Sequence, residues 1–394
     1  MKIVEYCLVV FSIITSGSLV YMTHNDDLIL IINFLFALVA FLIVKIKHFN
    51  RFYFYYALLV VFFLVIHFLY APNSASLVKY IGTSLKVITF LLVITIVGQK
   101  NFLTIYPKTM FVLCSINLIF YFDHVYLFSV SQPISSLLSQ LTTWSGNIYY
   151  ENYIFYVKPV YSVTFDTVVN VINKNSGIFG EGGLYQYFIN IALAISIFYN
   201  KKSIFHYQNI VFIFSIITTF STIAYLNLFF IVLINLYNPR NKIMLFFLFP
   251  FILAGSFMFF NLPVIYNKFF NVESYDFIIS TQRRMIDTMI DLKIIQDQPF
   301  LGIGLGNFED YNVYTSQFSL GGASSSNGIL NYIAKVGLIG TFISLYPFFI
   351  FGLRSKKKIT ILICNILTGL TQGIIMAPVF LLSASLFYEK PEIR

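Results

Sequence analysis

Charged residues are scarce in this sequence, and their scarcity excludes an ordinary soluble protein. Only 10% of the 394 residues are charged, whereas 58% are hydrophobic, and the mean hydropathy is +0.81. An average soluble domain carries about 25% charged residues. The sequence therefore predicts a multi-pass membrane protein.

Cysteine is also rare, and no metal-ligand pattern is present. Cys7, Cys114 and Cys364 lie inside apolar runs, where cysteine behaves as a small buried hydrophobe. No cluster of cysteine, histidine and acidic residues has the spacing of a zinc site. We therefore predict no disulfide, no metal and no cofactor. Since no cleavable signal peptide, repeat or separate soluble domain is evident, we expect residues 1–394 to form one membrane-embedded domain.

Acidic residues are nearly absent from the long apolar runs, and Glu5 at the edge of the first run is the exception. Ion-coupled carriers commonly place Asp or Glu inside their helices to bind the coupling ion. The sequence therefore argues against an ion-coupled transporter. A flippase that moves lipid-linked oligosaccharides without ion coupling stays open as the alternative from another class.

The apolar runs predict an all-α, polytopic membrane protein with about twelve transmembrane helices, since about 20 apolar residues cross a bilayer. Two runs, 204–237 and 359–388, are too long for one helix. Each is interrupted by a polar or proline-containing break, "TTFST" at Thr218–Thr222 and "TQGIIMAP" at Thr371–Pro378. Each is therefore predicted to form a pair of short helices. The remaining runs lie near 4–22, 28–44, 52–70, 80–98, 109–122, 184–199, 243–260 and 328–352.

Basic residues in the short loops alternate between two sides of the membrane. With these spans, thirteen of them share one side and only Lys79 lies on the other. The positive-inside rule then places both termini in the cytoplasm. The net charge of +9 thus reflects topology and requires no nucleic acid. The thirteen are Lys45, Lys47, Arg51, Lys100, Lys108, Lys201, Lys202, Arg240, Lys242, Arg354, Lys356, Lys357 and Lys358.

Two long loops, 123–183 and 261–327, are predicted to face outward and to contain short amphipathic helices. Large loops on a rigid scaffold usually carry functional residues. The second loop contains the row "GIGLG", Gly302–Gly306, whose spacing is found in nucleotide-binding loops. A nucleotide loop needs a preceding strand, but here a helical pattern precedes it and Pro299 ends that helix. The row is therefore interpreted as a tight turn whose glycines let backbones pack closely.

Three stretches together resemble the O-antigen polymerase and ligase superfamily. They are "NKNSGIFGEGGLYQYFINIALAI", "RMIDTMIDLKIIQDQPFLGIGLGNF" and "SSSNGILNYIAKVGLIGTFISLYPF", which occur in the family's order between Lys174 and Phe349. Lys174 stands where the family has an arginine, and Thr222 stands where an arginine often follows the break. Ser326 occupies the place of the histidine found in the ligases. This last departure favours a polymerase over a ligase.

The resemblance implies the substrate and the place of the reaction. Such polymerases join repeat units linked through a diphosphate to a polyprenyl lipid, on the outer face of the bacterial cytoplasmic membrane. The carrier lipid diphosphate is the leaving group, so neither nucleotide nor metal is expected. The implied partners are this lipid-linked glycan and the bilayer, together with a chain-length regulator and a flippase.

The reaction needs cations for the diphosphate and a group that activates the acceptor hydroxyl. Arg284 fits the family position before the glycine row, and its planar guanidinium suits phosphate oxygens; Arg283 is its expected helper. The alternative is that both arginines solvate one end of an amphipathic helix on the membrane surface. Glu181, alone among glycines, is the candidate acid or base, and helix capping is its alternative role.

Further candidates for binding the substrate are weaker. Lys86 and Lys335 lie inside predicted spans, where they either snorkel to the outer headgroups or bind phosphate. Asp310 follows the glycine row and is otherwise a solvated acid. The aromatic stretch Trp144–Tyr161 either stacks on sugar rings or lines the membrane interface. The remaining candidates are Lys174, Ser326 and Asn327.

Overall fold

The computed structural model describes most of the chain, and its elements are nearly all helical. The described residues are 2–18, 26–44, 49–70, 76–123, 148–152, 157–161, 174–237, 275–306, 308–316 and 327–387. The helices are α1 Lys2–Ile14, α2 Asp26–Ile43, α3 Arg51–Tyr70, α4 Leu77–Phe122, α5 Gly182–Ala194, α6 Tyr207–Thr218, α7 Thr222–Leu236, α8 Tyr275–Asp297, α9 Phe308–Thr315, α10 Gly328–Phe351, α11 Lys356–Gly369 and α12 Pro378–Ala384.

The helices confirm an integral membrane protein of the all-α class. Four helical segments in the described part of the chain are long and apolar enough to cross a bilayer, namely 51–70, 77–122, 182–199 and 328–354. The helices over 27–43, 207–218 and 222–236 are apolar but shorter. The number of spans stays a prediction, because the apolar run 243–260 lies outside the described residues.

Both predicted helix pairs are present. α6 ends at Thr218 and α7 begins at Thr222, while α11 ends at Gly369 and α12 begins at Pro378. Each break contains one residue other than glycine in the left-handed region, Phe220 with φ 47° and Met376 with φ 68°. Such a conformation interrupts the helical hydrogen-bond ladder, so each long apolar run divides where the polar residues or the proline occur.

The predicted spans 80–98 and 109–122 are two helices that meet at a kink, and the residues predicted as a loop between them are helical. α4 runs from Leu77 to Phe122, and Gly98 alone departs from helical geometry, with φ 71° and ψ 152°. Glycine tolerates this backbone conformation without a steric penalty. A single residue therefore kinks the chain, and Lys100 and Lys108 lie on a helix instead of in a loop.

The first long loop also departs from the prediction of short amphipathic helices. Its described part contains an antiparallel β-hairpin, in which β1 Ile148–Asn152 pairs with β2 Val157–Tyr161. Valine, isoleucine and tyrosine favour strands, which explains a hairpin within this aromatic stretch. In the second loop, α8 and α9 are helical as predicted.

Several lysines from distant parts of the chain gather at one end of the helical bundle, here named the lysine-rich end. Lys202 Nζ donates to Gln208 Oε1 at 2.5 Å, and burial, together with the nearby charge of Lys108, lowers the pKa of Lys202. Lys357 lies 5.2 Å from the ring centre of Tyr199. The predicted grouping of these basic residues is therefore consistent with the packing of the helices.

Both ends of the described chain reach the lysine-rich end. Asn101 Nδ2 donates to Glu5 Oε2 at 3.1 Å, and Tyr199 Oη donates to the carbonyl oxygen of Leu386 at 3.3 Å. The start of α10, together with the glycine row and Glu181, lies at the opposite end, here named the loop end. Which end faces the cytoplasm stays a prediction.

Candidate functional site

The glycine row docks against a break in helix α10. Gly337 has φ 70° and ψ 179° and interrupts the helix. An uninterrupted α-helix would join the N–H groups of residues 338 and 339 to the carbonyls of residues 334 and 335. These carbonyls instead accept from Ile303 N at 3.0 Å and Gly304 N at 2.9 Å. The row thus supplies the donors that the break removes.

The two residues Pro299 and Phe300, just before the glycine row, accept hydrogen bonds from the other side of the break. Leu338 N donates to the carbonyl of Pro299 at 2.9 Å, and Ile339 N donates to that of Phe300 at 3.3 Å. Four hydrogen bonds to the turn therefore replace two within the helix. Unsatisfied backbone groups cost several kcal/mol in a bilayer, so the turn stabilises a break that the membrane would otherwise penalise.

The turn has no room for side chains where it meets α10. Gly302, Gly304 and Gly306 all have positive φ, of 65°, 98° and 71°. A Cβ atom on Gly302 would lie 2.4 Å from the carbonyl oxygen of Ala334. The interpretation as a tight turn with closely packed backbones is confirmed. The N–H groups of residues 302 to 305 all donate to protein acceptors, so they do not cradle a phosphate.

A histidine and a tyrosine attach helices α3 and α4 to the turn. His67 Nε2 donates to the carbonyl of Leu301 at 2.5 Å, because a carbonyl can only accept. Nδ1 must then accept from Tyr80 Oη, at 2.6 Å. Tyr80 Oη accepts in turn from Leu305 N at 3.2 Å. Protein groups therefore engage both ring nitrogens of His67, and the ring has a structural role.

Glu181 lies at the loop end and is paired with a residue that the sequence did not single out. It is the N-cap residue of α5, but its side chain makes no capping hydrogen bond. Glu181 Oε1 instead accepts from Gln372 Nε2 at 2.8 Å, and the pair is exposed. Glycines leave room for this contact, since a Cβ atom on Gly183 would lie 2.6 Å from Gln372 Nε2 and one on Gly328 would lie 1.9 Å from the Gln372 carbonyl oxygen.

The upstream motif is fixed to the break between α6 and α7. Asn175 N donates to the Thr218 carbonyl at 2.9 Å, and Asn175 Nδ2 donates to Thr218 Oγ1 at 2.9 Å. Asn175 Oδ1 accepts from Gly177 N at 3.1 Å, which closes a turn. The segment that carries Glu181 is therefore held by a buried asparagine.

A buried polar network underlies Glu181. Gln186 Nε2 donates to the Gly183 carbonyl at 2.9 Å and to Thr368 Oγ1 at 3.2 Å. Gln186 Oε1 accepts from Asn190 at 2.9 Å and from Asn227 at 3.2 Å. The amide orientation follows from the Gly183 carbonyl, which cannot donate. The network joins α5, α7 and α11 and so fixes the start of α5 against the end of α11.

Two acidic residues of α8 are buried against α10. Asp287 is 1% exposed and Asp291 is 0% exposed. Asn331 Nδ2 donates to Asp291 Oδ1 at 3.3 Å, and Lys335 interacts electrostatically with Asp291 and with Lys79. A carboxylate this deeply buried requires compensating partners. For Asp291, the Asn331 amide and the Lys335 ammonium group supply them.

One face of α10 connects these groups to Glu181. Gly328, Asn331 and Lys335 are spaced i, i+3 and i+7, so they lie on one side of the helix. Gly328 contacts Gln372, Asn331 contacts Asp291, and Lys335 follows. At 1.5 Å per residue, Gly328 and Lys335 are about 10 Å apart along the axis. The Glu181–Gln372 pair therefore lies beside the start of α10, and Lys335 lies two turns further along the helix.

Arg284 lies on α8, two helical turns before Asp291, and is exposed. The helix buries one side, with Asp287 and Asp291, and exposes an apolar stripe of Met285, Met289 and Leu292. On a helical projection, Arg284 falls between these two sides. This arrangement is typical of a helix at a membrane surface. Arg283 is also on α8, but its side chain lies outside the described residues.

The structure brings some of the other predicted residues to the loop end. Lys174 is exposed beside Asn175, and Lys86 is half-buried on α4, two turns beyond Lys79 on the same side of that helix. Asn327 Oδ1 caps α10 by accepting from Leu330 N at 3.1 Å. Ser326 and the side chain of Asp310 lie outside the described residues, although Asp310 is in the first turn of α9. Their roles in binding stay predictions.

Sequence reasoning missed the residues that hold the candidates in place. Asp287 and Asp291 are spaced i, i+4, and they share one side of α8 with Ile290 and Ile294. That spacing is the signal that could have placed the two acids on a buried face. Gln372 gives no such signal, because its partner is 191 residues away.

Part of the chain matches a known protein family. Residues 209–345 match the family model described as O-antigen ligase. This match supports membership of the O-antigen polymerase and ligase superfamily. No curated protein matches the chain. The predicted resemblance is therefore confirmed, and members of the matched family are glycosyltransferase-like enzymes.

The matched segment covers about a third of the chain. It contains the glycine row, Arg284, Asp291 and Lys335, and it ends within α10. It does not include Glu181, Gln372 or Lys79. Arg284 and Lys335 therefore lie inside the matched segment, whereas Glu181 lies outside it.

Proposed function

We propose that the protein is a polymerase of the O-antigen polymerase and ligase superfamily. It joins oligosaccharide repeat units that are linked through a diphosphate to a polyprenyl lipid. The reaction takes place at the loop end, on the outer face of the bacterial cytoplasmic membrane. The product is an O-antigen or a related surface polysaccharide, and the reaction uses neither nucleotide nor metal.

The observation that carries this proposal is the arrangement along α10. Glu181, bonded to Gln372, lies near the start of the helix, and Lys335 with Asp291 lies two turns further on. A transferase for lipid-linked sugars needs a proton acceptor and an anion-binding group. Exposed Arg284 on the membrane-surface helix α8 provides a further cation for phosphate oxygens.

In the proposed reaction, the hydroxyl oxygen of the acceptor sugar attacks the anomeric carbon of the donor unit. The bond between that carbon and the diphosphate oxygen breaks, and the polyprenyl diphosphate leaves with the electron pair. Glu181 accepts the hydroxyl proton as general base. Arg284 and Lys335 stabilise the negative charge that develops on the leaving diphosphate.

A ligase that transfers finished glycan to lipid A core is the alternative within the superfamily. Ser326 stands where the ligases have a histidine. His67 does not replace it, because its two ring nitrogens bond to Leu301 and Tyr80. These two observations favour the polymerase. The alternative from another class is a lipid-linked oligosaccharide flippase.

The test uses the purified full-length protein in detergent. Polyprenyl-diphosphate repeat units are incubated with it in EDTA, with and without lipid A core, and the products are separated by size. We expect a ladder of multiples of the repeat unit that does not depend on lipid A core. Transfer of single units to lipid A core would identify a ligase. Movement of the lipid across liposomes without any new glycosidic bond would identify a flippase.

We further propose that a flippase supplies the substrate and that a chain-length regulator acts on the growing polymer. Polymerisation at the outer face requires lipid-linked units that have already crossed the bilayer. Cross-linking of the full-length protein in its native membrane, followed by mass spectrometry, tests both partners. Recovery of neither one from cells that make polymer would contradict a stable association.

A further inference from the structure

We propose that Lys79 and Lys335 together form an anion site beside the glycine turn, and that this site binds the diphosphate of the lipid carrier. Lys79 was not among the candidates from the sequence, and it lies outside the segment that matches the family. The identity of the carrier rests on the proposed function. The existence of a diphosphate site does not.

The glycine turn positions both lysines. On one side, Gly304 N donates to the Lys335 carbonyl at 2.9 Å, which fixes the backbone of Lys335 against the turn. On the other side, Gly306 lies against α4, where an added Cβ atom would be 2.9 Å from Lys79 Cγ and 2.6 Å from Ser76 Cβ. Ser76 N also donates to the Leu305 carbonyl at 3.0 Å. One turn of chain thus joins the two helices that carry the lysines.

Lys79 and Lys335 carry like charges on the two sides of the glycine turn. Lys335 interacts electrostatically with Lys79 and with Asp291. Bringing like charges together is unfavourable at low dielectric, and an anion with two or more charges removes that repulsion. Lys79 is exposed and Lys335 is half-buried, so an anion reaches them from the surface.

Side chains alone hold the ligand at this site, and the two ammonium groups suit a diphosphate. The N–H groups of residues 302 to 305 are occupied by protein acceptors, so the turn provides no phosphate cradle. Each lysine ammonium has three donors and acts as a compact point charge. Two such groups fit two linked phosphates. Lys79 lies in the first turn of α4.

The test measures binding of radiolabelled inorganic pyrophosphate to the purified full-length protein by equilibrium dialysis. Lys79→Gln is expected to weaken binding about tenfold, the usual effect of losing a charge-assisted hydrogen bond. Lys79→Arg keeps the charge and is expected to retain most of the affinity. Lys293→Gln is the matched control, because Lys293 is exposed on α8 and pairs with Asp297. Unchanged affinity in Lys79→Gln would overturn the site.

Competition in lipid nanodiscs distinguishes the sources of phosphate. A polyprenyl diphosphate is expected to displace pyrophosphate, whereas phosphatidylglycerol, which has a single phosphate, is expected to leave it bound. Equal displacement by phosphatidylglycerol would show a general headgroup site and overturn the assignment. Binding is measured without catalysis, so Lys79-dependent binding by a protein that makes no polymer would contradict the proposed function and leave this site standing.

Discussion

Gly302 and Gly337 face each other across the break in α10, and neither leaves space for a side chain. A Cβ atom on Gly302 would lie 2.8 Å from the Gly337 nitrogen, and one on Gly337 would lie 2.0 Å from the Phe300 carbonyl oxygen. Both residues have positive φ, of 65° and 70°. The docking of the glycine row and the break in α10 therefore depend on each other.

Alanine at either glycine is expected to destabilise the fold. A side chain at positive φ and overlap with a backbone carbonyl each cost about 1 to 3 kcal/mol, so Gly302→Ala and Gly337→Ala should each lose at least about 2 kcal/mol. Gly373→Ala is the matched control, because a Cβ atom there meets nothing within 4 Å. Thermal unfolding in detergent measures the effect. Equal stability of all three variants would contradict the docking of the row.

The hydrogen bonds of Tyr80 are expected to hold the turn against α3 and α4. Tyr80→Phe removes one hydroxyl and leaves His67 Nδ1 and the Leu305 N–H without this partner. Losing a buried partner costs about 1 to 3 kcal/mol. Tyr55→Phe, at a tyrosine that is 62% exposed on α3, should have little effect. Hydrogen exchange at Leu305 should increase in Tyr80→Phe, and unchanged exchange would exclude this role.

Glu181 and Gln372 are expected to act as a unit. Removing a general base slows a reaction by about 10²- to 10⁴-fold, so Glu181→Gln should slow polymerisation within that range. If Gln372 only orients the carboxylate, Gln372→Leu alone should slow polymerisation. The same substitution should cause little further loss of rate in the Glu181→Gln variant. Asp297→Asn, which changes an exposed carboxylate on α8, is the control. Full activity of Glu181→Gln would show that Glu181 is not the general base and acts only as a charge at the helix N-terminus.

Arg284 is expected to be required for polymer in cells. Arg284→Ala should leave single repeat units on the cell surface, and Arg284→Lys should rescue little, because a point charge does not reproduce the bidentate guanidinium. Arg354→Ala at the lysine-rich end is the matched control; Arg354 lies over the Phe351 ring. Polymer length is read from a gel at equal protein levels. Full-length polymer from Arg284→Ala would refute the assignment.

The sidedness of the two ends is tested by cysteine labelling. In a background without Cys7, Cys114 and Cys364, Ser316→Cys at the loop end should react with an impermeant maleimide on intact spheroplasts. Lys100→Cys at the lysine-rich end should react only after lysis, because the positive-inside rule places it in the cytoplasm. Both positions are exposed. The reverse pattern would invert the topology and move the proposed site to the cytoplasm.

The sequence by itself determined the class of protein, the divided helix pairs and the turn at the glycine row. Hydropathy depends only on neighbouring residues in the sequence, so local composition predicts the apolar runs and their polar breaks. The order of the three motifs also indicated the superfamily, since motif order is a property of the linear chain. The single-residue kink at Gly98 escaped prediction, because lysines near it indicated a loop where the chain stays helical.

Only the tertiary structure decided which residues meet. Glu181 pairs with Gln372 across 191 residues, and His67 reaches Leu301 across 234 residues; no local pattern contains such contacts. The sequence predicts Lys79 as the one basic loop residue on the outer side, and only the packing shows that it interacts with Lys335. The physical reason is that helix propensity and hydropathy are local, whereas the docking of the turn depends on matching backbone shape between distant segments.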